Sequence, residues 1–187
     1  GRPHARCRTE GVAAEKLVEQ SDVGLATDDL DRFYATGIDA VSVCSSPWSH
    51  AELAIASMDN GCHVLTEKPM AMNSAEALAM SETAGNTGRI LCVSHNFLFS
   101  RSVARADRAL RRAGPIEYVM ALQLSSDQRR LPTWYQELPG GLLFDEIPHL
   151  LYTLQHYLGA LALDSVRVTR RSTEGHPTLT EIQVTGE

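Results

Sequence analysis

The stretch His63-Val-Leu-Thr-Glu-Lys-Pro-Met-Ala-Met72 decides how we interpret the rest of this chain. It follows an apolar segment and the turn Asn60-Gly61, and its first four residues have the character of a short buried strand. Glu67-Lys68-Pro69 then lies where that strand would end. In open α/β sheets, ligands bind just beyond the carboxyl ends of the strands. The pattern therefore places Lys68 where chemistry is expected.

The use of lysine supports this interpretation. Lysine occurs only at Lys16 and Lys68, and arginine supplies the remaining basic side chains. Arginine is effectively always protonated, so it cannot give up a proton in a reaction. An arbitrary lysine is more often a solvated surface residue. A lysine at a strand end, in a chain that otherwise uses arginine, favours a functional role.

Composition limits the class of protein. The chain has 187 residues, is 43% hydrophobic and 21% charged, and carries a formal net charge of −6. This balance is globular and argues against nucleic acid or an anionic membrane as a partner. No apolar run approaches a bilayer span, and no signal peptide opens the chain. The cysteines are Cys7, Cys44, Cys62 and Cys92, and they lack metal-ligand spacing, so we expect no metal site. We expect them to be buried free thiols, which indicates a cytoplasmic protein.

Strand-like and helix-like segments alternate through the first half of the chain. Strands are predicted at residues 39–44, 63–66 and 90–94, and helices at 49–60 and 73–84. Ser49 with Glu52, and Asn73 with Glu76, have the spacing of a capping box. A turn is expected at 85–88. This rhythm predicts a parallel sheet with right-handed crossovers.

The ends of the first half are less regular. Residues 6–9 have the pattern of the end of a strand, and 12–19 that of a helix. Thr27-Asp28-Asp29 offers N-cap residues for a short helix through Tyr34, closed by a turn at Gly37.

Beyond Gly114 the pattern becomes α+β. A helix is predicted at 100–113, a strand at 117–124, a polar loop at 125–138, a helix from Gly140-Gly141 to about 158, and strands at 166–171 and 180–185. We therefore expect a partial Rossmann-type parallel sheet in residues 1–98, lacking its first strand and glycine-rich loop. A partial α+β domain with an open antiparallel sheet is expected in residues 99–187.

Four motifs follow one another along the chain: Asp39-Ala-Val-Ser-Val-Cys-Ser-Ser-Pro-Trp-Ser-His50, Gly61-Cys-His-Val-Leu-Thr-Glu-Lys-Pro69, Ser94-His-Asn-Phe97 and Gly140-Gly-Leu-Leu-Phe-Asp-Glu-Ile-Pro-His149. Taken in this order they resemble the Gfo/Idh/MocA oxidoreductases, which include glucose–fructose oxidoreductase and inositol dehydrogenase. The similarity runs from about Thr9 to the end. It implies a dinucleotide-binding domain, a second domain on an open antiparallel sheet, and a homo-oligomer in the complete protein.

The resemblance also implies functional residues. Lys68, Asp145 and His149 would be catalytic. The residues implied to line an NAD or NADP cofactor are Ser45, Ser46, Pro47, His50, Glu67 and Asn96. The chemistry is reasonable by itself, because a histidine near neutral pKa can take the hydroxyl proton as hydride leaves carbon. An ammonium group can stabilise the developing alkoxide. His50 is as readily interpreted as a buried structural histidine.

Several departures from the family pattern matter. The sequence contains no G-x-G-x-x-G turn, which would hold the pyrophosphate at a helix N-terminus. Pro148 either kinks a helix that runs through it or opens a helix that leaves Asp145 in the preceding loop. Trp134-Tyr135 replaces a common Trp-Arg pair, so a cationic ligand contact is expected to be lost. Arg8, where NAD-preferring members have an acidic residue, favours NADP.

Three functions compete. The first is an NAD(P)-dependent oxidoreductase acting on a sugar- or polyol-like substrate. The second is a non-catalytic family member that binds or scaffolds, which the missing glycine-rich turn favours. The third uses the nicotinamide transiently for elimination or hydrolysis, as some relatives do. We expect the 187 residues alone to be a fragment that binds cofactor poorly, self-associates and does not turn over.

Overall fold

The computed structural model describes residues 5–7, 24–124, 137–139, 141–171 and 179–186. The chain forms two compact units, Gly1–Ser94 and His95–Glu187. Predictions that fall on residues 12–19, on Arg8 and on Trp134-Tyr135 lie outside the described residues.

In its described residues, the first unit contains two parallel sheets. One pairs β1 (Ala5–Cys7) with β2 (Leu25–Thr27), and the other has the order β3 (Ala40–Val43), β4 (His63–Thr66), β5 (Leu91–Val93). The helices in the same described part of the unit are α1 (Leu30–Tyr34), α2 (His50–Asp59) and α3 (Ser74–Thr87). The predicted parallel sheet is therefore confirmed, and β4 is the central strand of its three-stranded part.

One face of the three-stranded sheet forms the core of this unit. Val43 of β3 and Val64 of β4 are buried with Ala54, Met58 and Met80 from α2 and α3. Residues on one face of a strand recur at every second position. Val43 and Val64 therefore lie on the face of the sheet that packs against the helices.

The opposite face of this sheet corrects the expectation for the cysteines. Ser42, Leu65 and Cys92 pair across the three strands and are all exposed. Cys92 is exposed because it alternates with the core positions, and Cys44 is exposed at the end of β3. Only Cys62, among the thiols whose burial the structure describes, is buried. Burial raises the pKa of the Cys62 thiol.

Helix capping follows the predicted pattern in α3. The side chain of Asn73 accepts a hydrogen bond from the Glu76 amide at 2.9 Å, and the Glu76 carboxylate accepts from the Asn73 side chain and the Met72 amide. The turn predicted at 85–88 is wrong, because α3 continues to Thr87 and ends at Gly88, whose φ of 67° suits glycine.

The capping box predicted at Ser49 is also wrong. A 3₁₀ turn, Pro47–Ser49, leads directly into α2, so Ser49 already has helical backbone angles. Its hydroxyl donates to Ser45 Oγ at 2.7 Å and contacts the Ser46 carbonyl oxygen at 3.0 Å. The hydroxyl therefore stabilises the preceding loop and does not cap the amides of α2.

The short strand β2 was not predicted. Thr27 had been assigned to a helix cap, but it ends β2 and its Oγ1 accepts from the Asp29 amide at 3.0 Å. Asp29 is the N-cap of α1, accepting from the Arg32 amide. The sequence of Leu25–Thr27 has little strand pattern, and these residues adopt an extended conformation because they pair with β1.

The second unit begins with a 3₁₀ turn, Asn96–Phe99, and continues through α4 (Arg101–Ala113) and α5 (Leu142–Leu158). It ends with β6 (Leu163–Arg171) and β7 (Leu179–Gly186), which pair antiparallel. Both helices and both strands of this unit agree with the sequence pattern. Every helix in the described ranges is too short or too polar to serve as a membrane span.

The strand predicted at 117–124 is wrong. These residues have no strand conformation, and the apolar side chains of Tyr118, Met120, Leu122 and Leu124 are exposed. Alternation predicts a strand only when a neighbouring strand completes the hydrogen bonds. Within the described residues, β6 and β7 pair with each other and not with this segment.

Pro148 lies inside α5, so the helix runs through it. The other possibility, a helix that starts at Pro148, is excluded. Proline removes the amide that would bond to the Phe144 carbonyl oxygen. Asp145 therefore lies in the first turn of α5, and His149 follows one turn later on the same helix.

Candidate active site

Lys68 follows the carboxyl end of the central strand β4. The Glu67 amide still donates to the Val43 carbonyl oxygen at 2.9 Å, which extends the β3–β4 pairing by one residue. The Lys68 amide then donates to the Glu67 carboxylate at 3.2 Å. Both side chains are half-buried, and the Lys68–Pro69 peptide is cis. The lysine therefore lies at the edge of the sheet where ligands of parallel α/β folds bind.

His50 connects the loops that follow β3 and β4. Its ring is 1% exposed, with Nδ1 at 2.8 Å from the Pro69 carbonyl oxygen and Nε2 at 3.1 Å from the Ser45 carbonyl oxygen. Each ring nitrogen thus faces a backbone acceptor. This geometry is that of a buried structural histidine, one of the two interpretations of the sequence. A cofactor contact from His50 stays a prediction.

The loop after β3 presents small polar groups at the same sheet edge. Ser45 is exposed, Ser46 is half-buried, and the buried Pro47 starts the 3₁₀ turn. Trp48 remains 41% exposed. Serine hydroxyls both donate and accept hydrogen bonds, so this loop fits the hydroxyls and carboxamide of a dinucleotide.

A second group of polar residues lies in the other unit. Asp145 and His149 are 3% and 7% exposed, so both are buried in α5. The carboxylate of Asp145 lies in the first turn of the helix, where the helix dipole favours negative charge. Buried acid and base side chains are costly unless they are paired or functional.

Tyr152 is the residue that sequence reasoning missed. Its hydroxyl lies 2.6 Å from His149 Nδ1, donates to Asn96 Oδ1 at 3.2 Å, and accepts from the Phe97 amide at 3.2 Å. The signal was available in principle, because Tyr152 is three residues after His149 and therefore on the same helix face. Only the position of Asn96 and Phe97 reveals what the hydroxyl contacts.

Two aromatic stacks hold this group together. Phe97 stacks on His149, and His95 stacks on Tyr152, each with centroids 4.2 Å apart and planes 15° apart. Burial lowers the pKa of His95, because desolvation disfavours the imidazolium. The hydroxyl of Tyr152 thus connects the predicted cofactor residue Asn96 to the imidazole of His149 within this unit.

These features define the class of protein. A parallel sheet with helices packed on it, and a polar edge beyond the carboxyl ends of its strands, is a Rossmann-type dinucleotide-binding fold. Residues 5–95 match the family described as "Oxidoreductase family, NAD-binding Rossmann fold". The match covers residues 5–95 and supports the resemblance to the Gfo/Idh/MocA oxidoreductase family that the sequence motifs indicate.

Individual relatives agree with this assignment. D-glucoside 3-dehydrogenase of Escherichia coli (strain K12) is 29% identical over 168 residues, which cover 87% of this chain and 48% of the relative. Myo-inositol 2-dehydrogenase of Thermotoga maritima is 32% identical over 123 residues, covering 65% of this chain and 36% of the relative. The chain thus spans about half, or less, of the length of these curated relatives.

Solved structures share the fold. A levoglucosan dehydrogenase in complex with NADH and levoglucosan has a TM-score of 0.74 at 22% identity, over 90% of this chain and 47% of that one. A probable dehydrogenase from Thermotoga maritima has a TM-score of 0.72 at 23% identity, over 88% of this chain and 50% of that one. At these identities the likeness establishes the fold.

Proposed function

We propose that this protein is an NAD(P)-dependent oxidoreductase that transfers a hydride between the nicotinamide and a sugar- or polyol-like substrate. The observation that carries the proposal is Glu67-Lys68-Pro69 directly beyond the carboxyl end of the central parallel strand. The names of the relatives, a glucoside dehydrogenase and an inositol dehydrogenase, support the substrate class.

Cofactor binding and substrate binding belong to different parts of the chain in this proposal. Residues 1–98 bind the dinucleotide, with Asn96 near the end of this range. The residues proposed at the sheet edge are Ser45, Ser46, Pro47, His50 and Glu67. Residues 99–187 supply Asp145 and His149 and bind the substrate. The bound nicotinamide would accept or deliver the hydride.

The proton is handled by the chain itself. His149 accepts the hydroxyl proton when an alcohol is oxidised, since imidazole titrates near neutral pH. Lys68 stabilises the alkoxide that develops as the hydride leaves, because an ammonium group at hydrogen-bond distance favours negative charge on oxygen. Asp145, one turn ahead of His149, stabilises the charged form of the imidazole through its negative charge.

The cofactor preference and the affinity belong to the same proposal. Arg8 would pair with a 2′-phosphate and favours NADP over NAD. Because the sequence contains no G-x-G-x-x-G turn, we expect the 187-residue chain to bind either dinucleotide weakly. Isothermal calorimetry with NADH and NADPH tests both points. Tight, stoichiometric binding would contradict weak affinity, and equal affinities would contradict a role for Arg8.

Assembly and location complete the proposal. The strands β6 and β7 expose the apolar side chains of Leu163, Val166, Val168 and Val184. An exposed apolar sheet surface supports a homo-oligomer formed through this sheet. We place the protein in the cytoplasm from its cysteine usage.

The decisive assay measures reduced nicotinamide formed from inositols and glucosides by the product of the complete gene. Formation that depends on Lys68 supports hydride transfer. The alternative is a non-catalytic family member that binds or scaffolds, which the absent glycine-rich turn favours. No quenching of Trp48 fluorescence by NADPH and no turnover, at high cofactor concentration, would establish that alternative.

A further inference from the structure

The hydroxyl of Tyr152 is surrounded by groups whose hydrogen-bonding roles can be worked out. It lies 2.6 Å from His149 Nδ1, 3.2 Å from Asn96 Oδ1 and 3.2 Å from the Phe97 backbone nitrogen. A phenolic hydroxyl carries one hydrogen to donate and has lone pairs on oxygen to accept.

Two of the three contacts have fixed directions. The Phe97 amide can only donate, so the Tyr152 oxygen accepts there. The carbonyl oxygen of the Asn96 side chain can only accept, so the single hydrogen of Tyr152 is directed to it. The remaining contact, to Nδ1 of His149, is then satisfied only if Nδ1 carries a hydrogen and donates it to the Tyr152 oxygen.

We propose that Tyr152, held by Asn96 and Phe97, is a positioning residue that keeps His149 in the Nδ1–H tautomer. In that tautomer Nε2 has the lone pair and is the nitrogen able to take a proton. The stacks of Phe97 on His149 and of His95 on Tyr152 fix both ring planes, so the 2.6 Å contact stays aligned.

The consequence for catalysis rests on the proposed function. When an alcohol is oxidised, its O–H bond breaks and the proton passes to Nε2 of His149. Its C–H bond breaks with the electron pair leaving as hydride to the oxidised nicotinamide, and a carbonyl remains. The wrong tautomer would present an N–H to the substrate hydroxyl, and such a ring cannot accept the proton.

The tautomer can be measured without cofactor or substrate. We would label the full 187-residue chain with ¹⁵N-histidine and record the ring nitrogens near pH 9, well above the ordinary histidine pKa of about 6.5. The His149 signals are assigned by their loss in His149→Asn. We expect Nδ1 to be protonated and Nε2 to be unprotonated in the wild type.

Two variants separate positioning from packing. Tyr152→Phe keeps the stacked ring but removes the acceptor of the Nδ1 hydrogen, so the Nε2–H form should become substantially populated. Asn96→Ala keeps Tyr152 but frees its hydrogen to turn towards Nδ1, which should also shift His149 to the Nε2–H form. Tyr157→Phe makes the same chemical change on the same helix, where the ring packs edge-on against His156, and should leave His149 unchanged.

The outcomes are distinct. A wild-type His149 that is already in the Nε2–H form overturns the proposal. An unchanged His149 tautomer in Tyr152→Phe also overturns it, when the backbone amide spectrum shows that the variant is folded. A tautomer that shifts as described in the 187-residue chain, while the product of the complete gene gives no turnover, retains the positioning role and rejects hydride transfer. In an active enzyme, Tyr152→Phe should lower kcat by about 10-fold or more with little change in KM.

Discussion

His50 Nδ1 lies 2.8 Å from the carbonyl oxygen of Pro69, and this contact joins the start of α2 to the loop that carries Lys68. The other ring nitrogen reaches the Ser45 carbonyl oxygen at 3.1 Å. A neutral imidazole carries one N–H, so the ring donates a hydrogen bond to one of these carbonyl oxygens and contacts the other. One buried ring therefore lies between two loops at the same edge of the sheet. Because backbone carbonyls buried without a donor are costly, His50 should contribute to both stability and loop position.

His50→Phe tests this role, since it retains a ring and removes both nitrogens. We expect the free energy of unfolding to fall by about 1–3 kcal/mol, from the loss of the buried hydrogen bond that the ring donates. Urea unfolding followed by Trp48 fluorescence provides the measurement. His156→Phe is the control, because its ion pair with Asp107 is partly exposed and should change stability by about 0–1 kcal/mol. Equal losses in the two variants would contradict a special role for His50.

Lys68→Ala should separate binding from chemistry. In the active protein we expect turnover to fall by about 100-fold or more while cofactor affinity stays nearly unchanged, because the ammonium acts mainly on the developing alkoxide. Lys68→Arg is the matched control, since it keeps the charge and should not restore the rate if the lysine must also relay a proton. Turnover of Lys68→Ala within a factor of about two of wild type would remove Lys68 from the mechanism.

His149→Asn should lower the rate and abolish the limb of the pH–rate profile that lies in the neutral range, because it removes the proposed base. Asp145→Asn should reduce the rate less, since it removes the negative charge that stabilises the imidazolium and leaves the base in place. The comparison requires kcat/KM across pH for both variants. An unchanged profile in His149→Asn would mean that the base is another residue.

Stability should depend on pH through His95. Burial lowers the pKa of His95, so the unfolded chain binds more protons than the folded one below about pH 6.5. The stabilisation from the neutral ring is therefore present above that pH and is lost as the pH falls through the lowered pKa. His95→Phe keeps an aromatic ring against Tyr152 and should flatten this part of the curve. Chemical unfolding at several pH values measures this dependence. An unchanged slope of unfolding free energy against pH in His95→Phe would count against a role for His95.

Asn73→Ala should destabilise α3 by about 0.5–2 kcal/mol, because Asn73 accepts from the Glu76 amide as the N-cap of the helix. Asn86→Ala offers a matched control, since Asn86 is an exposed residue near the end of the same helix. The alanine there should be neutral or slightly stabilising. Similar unfolding midpoints for the two variants would show that the cap contributes little.

Local patterns were sufficient for much of the fold. The runs around Val41, Val64 and Cys92 predicted three strands that the structure confirms as one parallel sheet. Asn73 with Glu76 predicted the start of α3, and Ser100 the start of α4. These signals work because capping and burial involve residues that are close in sequence or repeat at a fixed period.

Patterns failed where a distant partner decides the conformation. Residues 117–124 alternate as a strand does but have no strand conformation, whereas Leu25–Thr27 forms a strand by pairing with Ala5–Cys7. Ser49 has the spacing of a capping residue, yet the preceding 3₁₀ turn directs its hydroxyl to Ser45. Hydrogen bonds between segments override weak local preference in such places.

The sequence by itself determined that Lys68 follows a buried strand, because the apolar run and the turns around it are local in the chain. It left open whether a helix runs through Pro148, and the structure decided that Asp145 and His149 lie one helical turn apart. Only the tertiary structure decided that the His50 ring lies between the carbonyls of Ser45 and Pro69, and that Tyr152 contacts Asn96 and His149. Tyr152 contacts Phe97 and Asn96, which are 55 and 56 positions away, and contacts at such separations produce no periodic pattern in the sequence. They exist because burial forces each polar group to find a partner wherever the fold supplies one.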